Sequence, residues 1–172
     1  MRRRMWTVAI LLGAATMLLV PAASGAAGGD CTISGNSSNN TLIGTPEADI
    51  ICAKGGKDTV RGKGGDDTIR GGNGADSLFG GGGSDTIEGE AGDDTIKGGP
   101  GDDEILSGKG GDTSVGGKGI DLIIGGPGDD PCLSAVDGTP DDTLNGGTGD
   151  DTGDSDPGDT VLNMEVHSDD CV

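Results

Sequence analysis

Apolar residues in the middle of this chain neither alternate in twos nor recur in threes and fours. They return once every nine residues. Between Gly44 and Leu133 the apolar column reads Ile51, Val60, Ile69, Leu78, Ile87, Ile96, Ile105 and Ile123, with Ser114 and Cys132 as its breaks. Two places before it stands an unbroken column of acid: Asp49, Asp58, Asp67, Asp76, Asp85, Asp94, Asp103, Asp112, Asp121 and Asp130. Two places earlier again the residue is glycine from Gly56 to Gly128, with Glu47 as the departure. The phrase is Gly-Gly-x-Gly-x-Asp-x-apolar-x, and a period of nine rules out an amphipathic helix. Each phrase predicts a strand of about three residues centred on the apolar position, flanked by threonines such as Thr59, Thr68, Thr86 and Thr95 that favour β structure. The glycine-rich remainder predicts a turn using backbone angles that other residues avoid. One aliphatic side chain cannot bury itself. Two phrases therefore form a coil with a strand on either side, apolar columns inward, and coils stack at about 4.8 Å, so roughly seven give a rod of about 34 Å.

The flanks are less regular. Residues 33–43 form a degenerate first phrase, with Asn40 in the acidic column and Leu42 in the apolar one. After Leu133 the phase slips by three residues, Ser134-Ala135-Val136, before Asp142 and Leu144 restore it. A further phrase opens at Gly146 and reaches Asp151, but Gly153 stands where an apolar residue belongs. The start of the chain has another character: Arg2-Arg3-Arg4, an apolar run from Val8 to Val20, then small residues at Ala22-Ala23-Ser24 and Gly25-Ala26-Ala27. This is the pattern of a secretory signal peptide over residues 1–27, its apolar run being short for a membrane span. The expected organisation is a signal peptide over 1–27, an N-terminal cap over 28–43, the repeat array over 44–133, and degenerate repeats with a C-terminal cap over 134–172.

Composition alone points elsewhere. Thirty-eight glycines and an aromatic content of 1% are unsuited to an ordinary globular core. Periodicity restores the case for order, provided something offsets the charge. The whole chain carries −19; removing Arg2, Arg3 and Arg4 leaves eight lysines and arginines against 30 acids, or −22. Such a surface repels nucleic acid and anionic membranes and attracts hard cations.

The ten phrases in unbroken phase resemble the hemolysin-type (RTX) calcium-binding repeat. The resemblance implies an all-β fold, a right-handed parallel β-roll or β-solenoid of stacked two-nonapeptide coils. It also implies calcium ions sandwiched between turns 18 residues apart. One file of ligands would be Asp49, Asp67, Asp85, Asp103 and Asp121, and the other Asp58, Asp76, Asp94, Asp112 and Asp130. Five turns per file leave four gaps, so up to about eight ions are expected, held by carboxylate and backbone oxygens in the flexible geometry calcium accepts and magnesium does not. Acids at the fifth place (Asp66, Asp93, Asp102, Asp129) hold no fixed column and read as solvated surface, as do Lys54, Lys57, Lys63, Lys97 and Lys109. Many relatives carry an enzyme or toxin domain before the repeats; here signal peptide and repeats take up nearly the whole chain, so a non-enzymatic, secreted, extracellular calcium-binding protein is expected.

Four cysteines in an exported chain predict two disulfides. Position favours Cys31–Cys52 and Cys132–Cys171, clips at the two ends of the array; a four-cysteine zinc site is weaker because no C-x₂-C pair occurs. Other chemistries fail on spacing. No G-x-G-x-x-G or phosphate-binding loop is complete, and Asp154 to Asp159 lacks the sixth-position glycine of an EF-hand loop. Asp93-Asp94 lacks a cleft for glycosidase chemistry, and the third place shows no threonine ladder of the kind ice binding would use. One oddity supports an alternative function. The ninth, outward-facing place is apolar in four consecutive phrases, at Leu106, Val115, Ile124 and Leu133. These residues would either lie under the tail from Ser134 or form an apolar face for calcium-dependent adhesion, self-association or a protein partner.

Overall fold

The computed structural model describes residues 30–166. Among these residues there are 16 strands. They begin with β1 (Ile33–Ser34), β2 (Thr41–Ile43), β3 (Ile50–Gly55), β4 (Thr59–Gly64), β5 (Thr68–Asn73), β6 (Ser77–Gly82), β7 (Thr86–Ala91) and β8 (Thr95–Pro100). They continue with β9 (Glu104–Lys109), β10 (Thr113–Lys118), β11 (Leu122–Pro127), β12 (Cys132–Ser134), β13 (Thr143–Thr148), β14 (Thr152–Asp154), β15 (Thr160–Leu162) and β16 (Glu165–Val166). Odd-numbered strands make one eight-stranded sheet in chain order, and even-numbered strands make the other. Every pairing is parallel, and in the repeats each residue is opposite the one 18 further on, as in Ile51 with Ile69 and Val60 with Leu78. The molecule is thus a parallel β-solenoid, the fold that the resemblance of its repeats implies. No helix among the described residues is long and apolar enough to cross a membrane.

The core is the space between the sheets, and it is two side chains wide. Ile33, Ile51, Ile69, Ile87, Ile105, Ile123 and Leu144 line it from the odd sheet; Leu42, Val60, Leu78, Ile96 and Leu133 line it from the even one. Most are completely buried. The repeat strands are six residues long rather than three, because pairing resumes beyond the apolar position. Between β3 and β5 it covers Ile50 to Cys52 and again Lys54 and Gly55, omitting only Ala53. Each such strand runs through the first place of its phrase, and from Ile50 to Pro127 only the fourth to sixth places lie outside the strands.

Three departures from the period are resolved by packing. Ser114 interrupts the apolar column, and its hydroxyl is paired with that of Ser107, 2.7 Å away inside the core. Both are completely buried, so each satisfies the other where an unpaired hydroxyl would be costly. Cys132, expected in the apolar column, is not there. It pairs with Thr113, and Leu133 pairs with Ser114. The phrase has taken up one extra residue at exposed Pro131, which moves a fully apolar side chain into the core. The three-residue slip is therefore divided, one residue before Leu133 and two after it, and Leu144 returns opposite Ile123. Gly153 leaves the column without a side chain, and Met164 packs into that place.

The proposed apolar face is corrected by the same register. Leu133 is wholly buried in the core. Leu106 and Ile124 are neighbours on the odd sheet, whereas Val115 belongs to the even sheet, on the opposite side. Consecutive phrases alternate between sheets, so four consecutive ninth places cannot form one surface. The Cys31–Cys52 bridge is present, with Cα atoms 5.9 Å apart. Cys132 is also disulfide-bonded; its expected partner, Cys171, lies outside the described residues.

Candidate metal centre

The backbone delivers each sixth-place aspartate in the same way. From Lys54 onward the second and fourth places of every phrase through Gly128 adopt positive φ, for example Gly72 at 103° and Gly92 at 138°. A side chain on Gly92 would also collide with the Gly74 carbonyl of the preceding coil. Lys54, Lys63 and Glu90 accept this left-handed conformation without being glycine, at φ of 83°, 91° and 76°. Two such reversals fold the turn tightly and bring the aspartate back inside it. Asp58, Asp67, Asp76, Asp85, Asp94, Asp103, Asp112, Asp121 and Asp130 are all buried, each at most 2% exposed.

One oxygen of each carboxylate is employed by the protein. Asp67 Oδ1 accepts the N–H of Asp49, and the relation repeats through Asp85, Asp103 and Asp121 at 2.8–2.9 Å. On the other edge Asp76, Asp94, Asp112 and Asp130 accept in the same way from the aspartate 18 residues earlier. The two files expected from the sequence therefore exist as two hydrogen-bonded ladders, one on each edge. Both continue past the slip, to Asp142 (from Asp121, 2.7 Å) and to Asp151 (from Asp130, 3.0 Å).

The other oxygen has nothing. Oδ2 is buried without a hydrogen-bond partner in Asp58, Asp67, Asp76, Asp85, Asp94, Asp103, Asp112, Asp121, Asp130, Asp142 and Asp151. In Asp67, Asp76, Asp85, Asp94, Asp103, Asp130 and Asp151 it lies over the first-place glycine of its own turn, beside a carbonyl from the next coil. At Gly71, Asp76 Oδ2 and the Gly89 carbonyl oxygen each lie 2.8 Å from the point a Cβ would occupy, and no donor is among the nearest atoms. Gly80 has Asp85 Oδ2 and the Gly98 carbonyl in the same relation, and Gly98 has Asp103 Oδ2 and the Gly116 carbonyl. An orphaned buried acceptor is costly in a native protein, and a carboxylate facing carbonyls lacks a positive partner. This donor set, all oxygen and partly backbone, is the one a hard cation takes. Among the described residues no group of three or more His, Cys, Asp or Glu side chains converges as a metal cage, so any ion here depends on backbone carbonyls for much of its shell.

The electrostatics agree. Burial pushes the carboxyls of Asp67, Asp94 and Asp103 up to about 7, opposed by the backbone N–H each accepts and reinforced by neighbouring carboxylates. Asp58, Asp121 and Asp130 are raised to about 6 by the same causes. Asp76, Asp85, Asp112 and Asp142 are also raised, burial again leading. These sites hold their charge poorly until something positive arrives.

Asp142 and Asp151 were not among the ten expected ligands, although they are nine residues apart and each sits two before an apolar-column position, which was the available signal. The fifth-place acids do more than face water. Asp66, Asp93, Asp102 and Asp129 are exposed, yet each Oδ1 accepts the turn N–H of the next coil, from Ser84, Gly111, Ile120 and Asp150, at 2.9–3.0 Å. Asp49 differs from the other nine expected ligands: Thr45 donates to its Oδ2 from both N–H and hydroxyl, at 2.7 and 2.9 Å.

Comparison with known families finds the RTX calcium-binding nonapeptide repeat (four copies), matched at residues 25–60, 53–87, 79–114, 108–130 and 136–162. A comparison with curated proteins returned no match.

Proposed function

Because the chain belongs to the RTX calcium-binding nonapeptide-repeat family, we propose that it is a secreted protein whose repeats fold into the roll as they bind several calcium ions. The observation that carries this reading is the column of buried Oδ2 atoms without a donor, those of Asp67, Asp76, Asp85, Asp94, Asp103, Asp130 and Asp151 beside carbonyl oxygen. Asp58, Asp67, Asp76, Asp85, Asp94, Asp103, Asp112, Asp121 and Asp130 would hold the ions together with turn carbonyls, and Asp142 and Asp151 extend the two files. Bound calcium supplies the positive charge these carboxylates lack. The files from Asp67 to Asp142 and from Asp58 to Asp151 leave about nine gaps between coils, each with room in its chemistry for one hard cation. The role is structural and electrostatic, and we assign no catalytic residue.

Export rests on the Arg2-Arg3-Arg4 front and the apolar run Val8 to Val20, which lie outside the described residues. It fits the chemistry, since a chain that folds on calcium is best released where calcium is plentiful.

The test is a calcium titration of the chain lacking residues 1–27, followed by far-ultraviolet circular dichroism, with magnesium as control. The expected result is a cooperative change from coil to β with calcium and none with magnesium. If calcium binds only the folded form, stability rises with the logarithm of its concentration, once per site. A chain still unfolded at about 10 mM calcium, weaker than the range of extracellular sites, would overturn the reading.

A further inference from the structure

The first coil, residues 31–52, has the spacing of the repeats but a different turn chemistry. Its turns at 35–40 and 44–49 contain no residue at positive φ, whereas every later phrase through Gly128 has two. The second-place N–H therefore points back at the sixth-place side chain. Asn36 N–H donates to Asn40 Oδ1 at 2.8 Å, and Thr45 donates its N–H and hydroxyl to Asp49 Oδ2. The Thr32 hydroxyl reaches Asp49 Oδ1 at 3.3 Å. Asp49 is thus buried, at 5% exposure, with both oxygens engaged, and Asn40 carries no charge. Residues 31–52 contain two acids, Glu47 and Asp49, and no lysine or arginine, so little repulsion opposes their compaction. The Cys31–Cys52 bridge closes the coil covalently.

This coil also presents a finished edge. The carbonyls of Asn40 and Asp49 accept the N–H groups of Thr59 and Thr68, and the N–H groups of Asn40 and Asp49 reach the carboxylates of Asp58 and Asp67. In a solenoid each layer contacts only its neighbours, so the first layer is the expensive one and later layers add to it.

We propose that residues 31–52 fold without calcium and act as the template on which the calcium-dependent coils stack, in order from the N-terminal end. Asp49 stands in the acidic column as a structural residue that its own turn satisfies, and the ion files begin at Asp58 and Asp67. The inference rests on the calcium reading above.

The test uses the chain lacking residues 1–27 with its disulfides formed. Hydrogen exchange is measured in chelator and in calcium, and bound calcium is counted by equilibrium dialysis for the parent, Asp49→Asn and Asp85→Asn. In chelator, amides within 32–52 should exchange at least about tenfold more slowly than those of 62–130, which exchange as coil, while calcium protects both. Asp49→Asn should bind as many ions as the parent, because an asparagine oxygen accepts from Thr45 as Asn40 accepts from Asn36. Asp85→Asn should bind fewer. Equal exchange across the chain in chelator, or loss of an ion in Asp49→Asn, would overturn the template. A parent that binds no calcium overturns the functional reading instead, so the two failures are distinguishable.

Discussion

The first coil and the repeats that follow it share a period, a register and an apolar column, yet they settle their acidic column in opposite ways. In the first coil, Asn40 and Asp49 are satisfied from within by the N–H groups of Asn36 and Thr45. In the repeats, the same N–H has been turned away by a left-handed second place, and a buried oxygen is left bare in turn after turn. The difference shows that the nine-residue spacing specifies the coil, whereas the bare buried oxygen goes with the left-handed places of the turn. A coil lacking those places keeps the architecture and satisfies its own buried oxygen.

The comparison can be broken most severely at the fourth place. Gly92→Ala would put a side chain at positive φ against the carbonyl of Gly74. It should lower the stability of the calcium-loaded roll by about 2–5 kcal/mol, from backbone strain and overpacking. Glu47→Ala, at the same place in the first coil, is exposed and free of that conformation, and should stay within about 0.5 kcal/mol. Denaturant melts in saturating calcium would check both.

A smaller effect is expected from pH. Without calcium, carboxyls raised from 3.8 to about 7 at Asp67, Asp94 and Asp103 bind more protons when folded than when unfolded. Their contribution favours the roll, is complete below about pH 4, and is lost as pH rises through about 6 to 7. Calcium-free protein should therefore gain β structure on acidification, seen by circular dichroism. Calcium competes with those protons, so its half-saturation concentration should fall as pH rises through the same window. Asn40 does not titrate, and exchange at the first coil should not follow this trend.

The finest contrast is at the second place. Glu90→Gly relieves a left-handed residue and should stabilise the loaded roll by about 0.5–1 kcal/mol. Thr45→Gly removes a hydroxyl that donates to Asp49 and should destabilise by about 1 kcal/mol. Opposite signs at one position of the phrase, read in the same melts, would confirm that the two regions turn by different chemistry.

Much of this was legible beforehand. The ten aspartates of the acidic column and their division into two files follow from counting, because stacking repeats a local geometry and a nine-residue period admits only one inward column per strand. The Cys31–Cys52 bridge was legible from its closeness to one coil's spacing. The apolar surface was misread for a related reason: Leu106, Val115, Ile124 and Leu133 are consecutive in the phrase, but alternate phrases face opposite sides. The strands came out twice the expected length because glycines at the second and third places also pair, something their low β propensity conceals.

The sequence by itself determined the period, the parallel pairing of residues 18 apart, the aliphatic column and the acidic one, since each depends only on spacing along the chain. Tertiary structure decided everything that turns on which atoms meet across coils. It placed Leu133 in the core in preference to Cys132, matched Ser107 to Ser114, and filled the gap at Gly153 with Met164. It also separated Asp49 from the other nine acidic-column residues. That last distinction depends on a backbone dihedral two residues into the turn, which decides whether an N–H or nothing at all faces the buried oxygen.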